Sequence, residues 1–538
     1  MGHIMTDNND NILGSLTKRD FLQSLGIMGG SVAMLAAMGA FDKSIASDQK
    51  EPPKMMSEGS GKKIIVLGAG LAGMVMGIEL SKKGYDVEIL EARSFAGGRC
   101  QSARKGTVIH EIGGEKQVCD FDNNQYVNHG PWRIAQEHHS TLHYCHTLNV
   151  ELQPMINESA QTFIYSEKAE GPFKGKRIRH RHADVDRHGN IYELLAKCAS
   201  DGSLDDKMTP EDRDNLLEHF RNTGLLNRKE LNYVAGRARG YDSYPGAGMN
   251  FGTYSDPYNF SDLLKVSVGA RWDTADHPAV MFQAVGGMDR IAKAMYEALP
   301  CDIIKFNKDV TKIEQTDNGA QVSYFDTESG KEEVISADYC VSTIPFGVLN
   351  QIENDFTAEV IDAIKSPRSA PAYKIGLQFD RRFWEKDEMI YGGVTQTDIP
   401  GNRIISYPSN DLHSPNGGVL LGDYEFGANA VANSNLSNAD RIELALASGE
   451  KVHPSLYRKH FNGKAMSMAW HKEKYSLGGW VGWSARGRRN QLPILLKGER
   501  RVLFSGNGIT PILDGWMAGA IEGAWLTLAD LDKRIAQG

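Results

Sequence analysis

The stretch KKIIVLGAGLAGMVMGIELSKKGYDVEILEAR, Lys62 to Arg93, decides the fold. Within about thirty residues it reads as a strand, a glycine turn, a helix and a second strand. Each glycine of the turn has a separate task. Gly68 permits the tight turn, Gly70 lets the backbone approach a pyrophosphate, and Gly73 allows close packing of helix on strand. The helix start just beyond favours negative charge, because its first N–H groups have no partner inside the helix. Glu91 ends the second strand 18 residues after Gly73, where a carboxylate accepts hydrogen bonds from ribose hydroxyls. A strand–turn–helix context turns an otherwise weak glycine pattern into a dinucleotide site, and NAD and FAD both fit it.

The rest of the chain frames this unit. At 538 residues it exceeds what one hydrophobic core organises, so two or three domains are expected. A formal net charge of -8 argues against nucleic acid, which needs clustered Lys and Arg. The basic run KGKRIRHRH (Lys174–His182) reads as a solvated loop. The six cysteines (Cys100, Cys119, Cys145, Cys198, Cys301, Cys340) are scattered and read as free thiols. The cluster His138, His139, His143, Cys145 and His146 lacks a recognisable ligand spacing, so no metal is expected.

At the N-terminus, MGHI (1–4) reads as an expression remnant. Thr17–Gln23 then leads into an apolar run of small residues, with small residues again at Ser44–Ala46. That is a signal-peptide pattern over residues 1–46. It resembles a twin-arginine signal in which Lys18 replaces the first arginine, and it points to export to the periplasm or beyond, with a cytoplasmic location as the alternative. Residues 47–61 read as a polar linker. No later segment is apolar for long enough to span a membrane.

The choice between NAD and FAD comes from ARSFAGGRC. Gly97-Gly98-Arg99 resembles the second phosphate-side motif of the flavin-containing amine oxidase family. The resemblance continues in order through VGGMDRIAKAMYEAL (285–299), DVTKIEQ (309–315), ADYCVSTIP (337–345), APAYKIGLQFDRRFW (370–384) and RVLFSGNGITPILDGWMAGAIEGA (501–524), covering about residues 62–530. It implies an α/β amine oxidase fold with a discontinuous Rossmann-like FAD-binding domain, a mixed-sheet substrate domain and a helical domain. The expected bounds are 62–127, 280–345 and 490–538 for the FAD domain, 128–279 for the largely helical domain, and 346–489 for the substrate domain. In the helical part, TPEDRDNLLEHF carries a Thr209 N-cap with Glu211 and Asp212 in the first turn.

The same resemblance assigns FAD contacts to Gly68, Gly70, Ala72, Gly73, Glu91, Ala92, Arg93, Gly98, Arg99, Pro131, Trp132, Arg133, Val310, Gly506, Asn507, Gly515, Trp516 and Met517. It places Lys374 where family members hold a water against the flavin. NHGPWRIA (128–135) resembles the GPMR segment of L-amino acid oxidases, whose arginine pairs with the substrate carboxylate; here that residue is Arg133. A planar guanidinium matches a carboxylate in geometry as well as charge. Tyr407 is expected to support the carboxylate, with Trp480, Gly515 and Trp516 around the substrate. The expectation is an FAD-dependent L-amino acid oxidase, with O2 as acceptor and H2O2 as product. Monoamine or polyamine oxidation, a tryptophan-type amino-acid 2-monooxygenase, and a non-catalytic flavoprotein or NAD-binding module remain the alternatives. A homo-oligomer is compatible with the sequence.

Overall fold

The computed structural model describes residues 49–59, 61–266, 268, 277–510 and 513–537. The signal-like segment lies outside them. The described residues form two compact units, one within Ile164–Ala270 and one built from residues 49–163 and 277–537.

In the larger unit the sequence from Lys62 forms the expected strand, Lys63–Leu67, helix, Leu71–Lys82, and strand, Asp86–Leu90. These two strands join Ile304–Lys305, Tyr339–Ser342 and Val502–Phe504 in one all-parallel sheet. Its spatial order is Ile304–Lys305, Asp86–Leu90, Lys63–Leu67, Tyr339–Ser342, Val502–Phe504. Parallel strands are covered on both faces, so they read as unbroken apolar runs; Ile64 to Leu67 are all fully buried. The closing helix, Met517–Gln537, packs against Leu71–Lys82 through Ile521, Ala524, Trp525 and Leu528. Segments far apart in sequence thus build one layer.

A second sheet of the same unit is antiparallel. Ala372–Phe379 runs between Gly418–Phe426 and Phe461–Ala469 and is buried at every position. Beyond Gly418–Phe426 follow Asn402–Ser406 and Val394–Ile399. A third sheet contains Lys308–Gln315, Ala320–Asp326 and Lys331–Ala337, paired antiparallel in that order.

In the smaller unit, His180–Ser200 and Pro210–Asn222 are the main helices. Thr209 caps the second, its Oγ1 accepting from the Asp212 N–H at 3.1 Å. This unit begins at Ile164 rather than near residue 128, because Leu152–Ile156 pairs antiparallel with Val280–Ala284 of the larger unit. The stretch read as a polar linker is also tied down. Met55 is buried, and the Met56 and Ser57 N–H groups donate to Asp532 on the closing helix at 2.8 and 2.9 Å. No helix among the described residues is long and apolar enough to cross a membrane.

Candidate active site

The glycine turn opens one wall of a long cavity in the larger unit. Gly68 has φ +99°, a conformation L side chains rarely adopt. A Cβ at Gly73 would lie 1.9 Å from the Gly68 carbonyl oxygen, so this residue sets how closely helix meets strand and does not itself line the cavity. Gly70 does line it, and a Cβ there would enter open space. The helix beyond Gly70 has no side-chain cap, which leaves its first N–H groups for whatever fills the cavity.

Glu91 lies at the next strand end, 3% exposed. Its Oε2 accepts from the Ala69 N–H at 2.7 Å and its Oε1 from the Arg93 N–H at 2.9 Å. The carboxylate therefore braces the turn from below while lining the cavity. Arg93 pairs with Glu473 at 2.5 Å and bonds Ser476 at 3.2 Å. Arg99 donates to the Gly479 carbonyl at 3.0 Å. Burial, then the charge of Arg93, lowers the Arg99 pKa to about 10, so it stays cationic at neutral pH. Ala72, Ala92, Gly98, Val310, Gly506, Asn507 and Met517 complete this end. Asn507 fixes the far turn, donating to the Trp516 carbonyl at 3.2 Å and accepting from the Gly515 N–H at 3.4 Å.

The other end is aromatic and carries two cations. Alternation along Ala372–Phe379 and Gly418–Phe426 explains it: Lys374 is registered opposite Tyr424 and Ala372 opposite Phe426, and all four line the cavity. Tyr373 and Ile375 alternate with them along the strand. Lys374, 3% exposed, is a buried residue of a fully covered strand and not a surface lysine. Its Nζ donates to the carbonyls of Asn128 at 3.2 Å and Gly130 at 2.6 Å, and lies 4.4 Å from the Tyr424 ring centre. Burial, reinforced by Arg133, lowers its pKa to about 7. Arg133 is 8% exposed, with its guanidinium 4.5 Å from the Trp132 ring and 5.9 Å from the Trp516 ring. Its Nη1 bonds the Asn157 side-chain oxygen. Burial raises the Tyr424 pKa to about 12, so the phenol keeps its proton. Pro131, Trp132, Trp480, Gly515 and Trp516 line the same cavity.

Tyr407, like Gly73, is absent from the lining. Its hydroxyl is buried between Thr395 Oγ1 at 2.8 Å and His453 Nε2 at 2.7 Å, and His453 in turn bonds Glu388. The tyrosine brought to Arg133 and Lys374 is Tyr424. Its neighbours in DYEF carried a signal, since period two puts Tyr424 and Phe426 on one face and Asp423 and Glu425 on the other. Only the pairing with Lys374 shows which face matters. His129, Trp470 and His277 also line the cavity without having been singled out.

Residues 71–528 match the profile of the flavin containing amine oxidoreductase family. The L-amino-acid oxidase of Crotalus adamanteus is 24% identical over 497 residues, covering 88% of this chain and 87% of that one. YobN of Bacillus subtilis (strain 168), provisionally named an L-amino-acid oxidase, is 26% identical over 471 residues, covering 86% and 92%. Among solved structures, putrescine oxidase bound to putrescine superposes with a TM-score of 0.57 at 17% identity, covering 88% of this chain and 99% of that one. Cyclohexylamine oxidase from Brevibacterium oxydans IH-35A gives the same score at 14% identity, covering 88% and 100%. At such identities the structures speak for the fold, which is the amine oxidase fold.

Proposed function

The chain belongs to the flavin-containing amine oxidoreductase family, and we propose that within it this protein is an FAD-dependent L-amino acid oxidase. The observation that carries the reading is the buried Arg133 guanidinium lining the same cavity wall as Lys374, Tyr424 and the aromatic rings. The L-amino-acid oxidases similar to it over most of its length support the same reading.

The residues fit FAD. The uncapped helix start, the open space over Gly70 and the cations Arg93 and Arg99 suit a diphosphate. Glu91 and Val310 lie at the same end, where the adenosine part would be held. Bound there, FAD supplies a two-electron acceptor that dioxygen reoxidises.

The chain's own residues then supply binding, orientation and proton handling. Arg133 takes the substrate carboxylate in its planar fork, and Tyr424, protonated at any working pH, donates a further hydrogen bond to it. Trp132, Phe426, Trp480 and Trp516 confine the rest of the molecule and exclude water, which favours the neutral amine. Lys374 Nζ, held by two carbonyls and titrating near 7, is the cavity group that would exchange a proton during turnover. The overall reaction converts an L-amino acid, O2 and water to a 2-oxo acid, ammonia and H2O2. Export before catalysis, read from Thr17–Ala46, belongs to the same proposal, and the N-terminal mass of protein recovered outside the cytoplasm tests it.

A peroxide assay across the common L-amino acids, with D-enantiomers as controls and 2-oxo acid measured beside amide, tests the reaction. Amide in place of 2-oxo acid would mean a monooxygenase. Arg133→Met sharpens the result. Breaking a buried charge pair on one side costs about 2–5 kcal/mol, so kcat/KM for the best amino acid should fall roughly 30-fold to several thousand-fold. The matching decarboxylated amine should lose far less. If the wild type prefers the amine, or the variant loses both equally, Arg133 is structural and the protein oxidises simple amines.

A further inference from the structure

Asn157 holds the arginine of the aromatic end, yet it does not itself line the cavity. It is fully buried, and both ends of its amide are used. The oxygen accepts from Arg133 Nη1, while Nδ2 donates to the Pro278 carbonyl at 3.2 Å and reaches the His277 carbonyl at 3.5 Å. Carbonyls only accept and a guanidinium only donates, so the neighbours fix which end of the amide faces which way. Among side chains of this size and shape an amide alone meets both demands. An aspartate would set a charge against two carbonyls, and a leucine would give up both bonds.

The backbone around this pair is equally constrained. Ile134, next to Arg133, exchanges two hydrogen bonds with Phe282 at 2.8 Å each, and the Asn157 and Glu158 N–H groups both donate to the Ala279 carbonyl, at 2.9 and 3.1 Å. One segment, 277–284, thus places both the main chain beside Arg133 and the amide that meets its guanidinium. The Trp132 and Trp516 rings, 4.5 and 5.9 Å from the guanidinium, attract the cation through their faces. A ring face leaves a planar cation able to turn in its own plane. A hydrogen bond to one of its nitrogens stops that turn, and a two-pronged pair with a carboxylate depends on the plane being set.

We propose that Asn157 is a positioning residue for substrate recognition: it sets the orientation in which the Arg133 guanidinium receives a carboxylate, and as a neutral partner it adds no negative charge to compete with that carboxylate. This inference rests on the reading of Arg133 as the carboxylate site. No bond or proton changes hands at Asn157. Because it acts through Arg133, its loss should appear in the affinity for the amino acid and spare a substrate that has no carboxylate.

The test compares Asn157→Leu and Asn157→Asp with wild type and with Arg133→Met, all as flavin-loaded protein. The substrates are the L-amino acid that gives most peroxide in the assay above and the amine that lacks its carboxylate. For Asn157→Leu, KM for the amino acid should rise roughly five- to fifty-fold with kcat changed by less than about three-fold, while kcat/KM for the amine stays within about two-fold. Asn157→Asp keeps the shape and the bond to Arg133 but brings a competing carboxylate, so its KM for the amino acid should rise at least as much. A wild-type KM for the amino acid in either variant would overturn the proposal, as would equal losses on amino acid and amine, which would reduce Asn157 to packing. Arg133→Met separates the two readings. If it spares the amine and the Asn157 variants do not, the positioning role fails and the carboxylate site stands; if it loses both substrates equally, the carboxylate site fails and this inference with it. If Asn157→Leu does not fold, Asn157→Asp, the closer in shape, decides by the same criterion.

Discussion

The two ends of the cavity are built by opposite means. At the glycine turn the work is done by backbone and by side chains that are missing, and the charged groups are braced within the protein: Glu91 by two N–H groups, Arg93 by Glu473. At the aromatic end two basic side chains sit among rings, amides and carbonyls, and burial has pushed the pKa of Lys374 down to about 7. The first end is a shaped socket and the second an electrostatic one. Substitutions at the first should act on folding and cofactor loading, and those at the second on turnover.

The largest effect should come from Gly73→Ala. The added carbon would lie 1.9 Å from a backbone oxygen that cannot swing away, so helix and strand must separate. Loss of soluble, flavin-loaded protein is expected. A yellow protein with an unchanged melting temperature would end the argument that close packing shapes this socket. Glu91→Ala should follow. It leaves the Ala69 and Arg93 N–H groups without their acceptor, at about 1–3 kcal/mol each if water cannot reach them, and weakens FAD retention as well. Melting with and without added FAD measures both parts, and full flavin occupancy with unaltered melting would contradict it.

What was legible in the sequence follows the same division. The socket is nearly contiguous: Gly68, Gly70, Gly73 and Glu91 lie within one strand–turn–helix–strand unit, where local spacing carries the geometry. Arg133, Lys374 and Trp516 could be found because each lies in a recognisable short segment. Tyr424 could not, because its place depends on the register of Gly418–Phe426 against Ala372–Phe379, which includes an irregularity between Ile375 and Gly376. Tyr407 lies one residue beyond the neighbouring strand, in a hydrogen-bonded group of its own. His129 was hidden for a related reason, since its burial depends on Trp470, 341 residues away. The linker reading failed likewise, as Asp532 holds it from the other end of the chain.

The electrostatic end can be tested through pH. Lys374 gives up its proton near pH 7 in the folded protein but near the ordinary lysine value of 10.5 when unfolded. Between those values the unfolded chain binds the extra proton, so this residue's contribution to stability rises with pH across that window and is least favourable below it. Lys374→Met removes the dependence. The wild type should gain on the variant in melting temperature from pH 7 to pH 10, and the variant should reoxidise its flavin about a hundred-fold more slowly if the amine handles a proton. Parallel melting curves with equal reoxidation rates would make Lys374 an ordinary strand residue.

The smallest effect is also the most discriminating, because it separates two tyrosines. Tyr424→Phe removes one hydroxyl from the cavity wall beside Lys374, and a single hydrogen bond to a charged partner contributes about 1.5–3 kcal/mol, so kcat/KM for the amino acid should fall roughly 10- to 150-fold. The melting temperature should barely move. Tyr407→Phe should do the reverse, since its hydroxyl bridges Thr395 and His453 away from the cavity lining: melting falls by several degrees while kcat/KM stays within about two-fold. The outcomes are coupled. If Tyr407→Phe impairs turnover and Tyr424→Phe does not, the carboxylate is held from a different side of the sheet, and the partition of the cavity into a shaped end and a charged end loses its charged half.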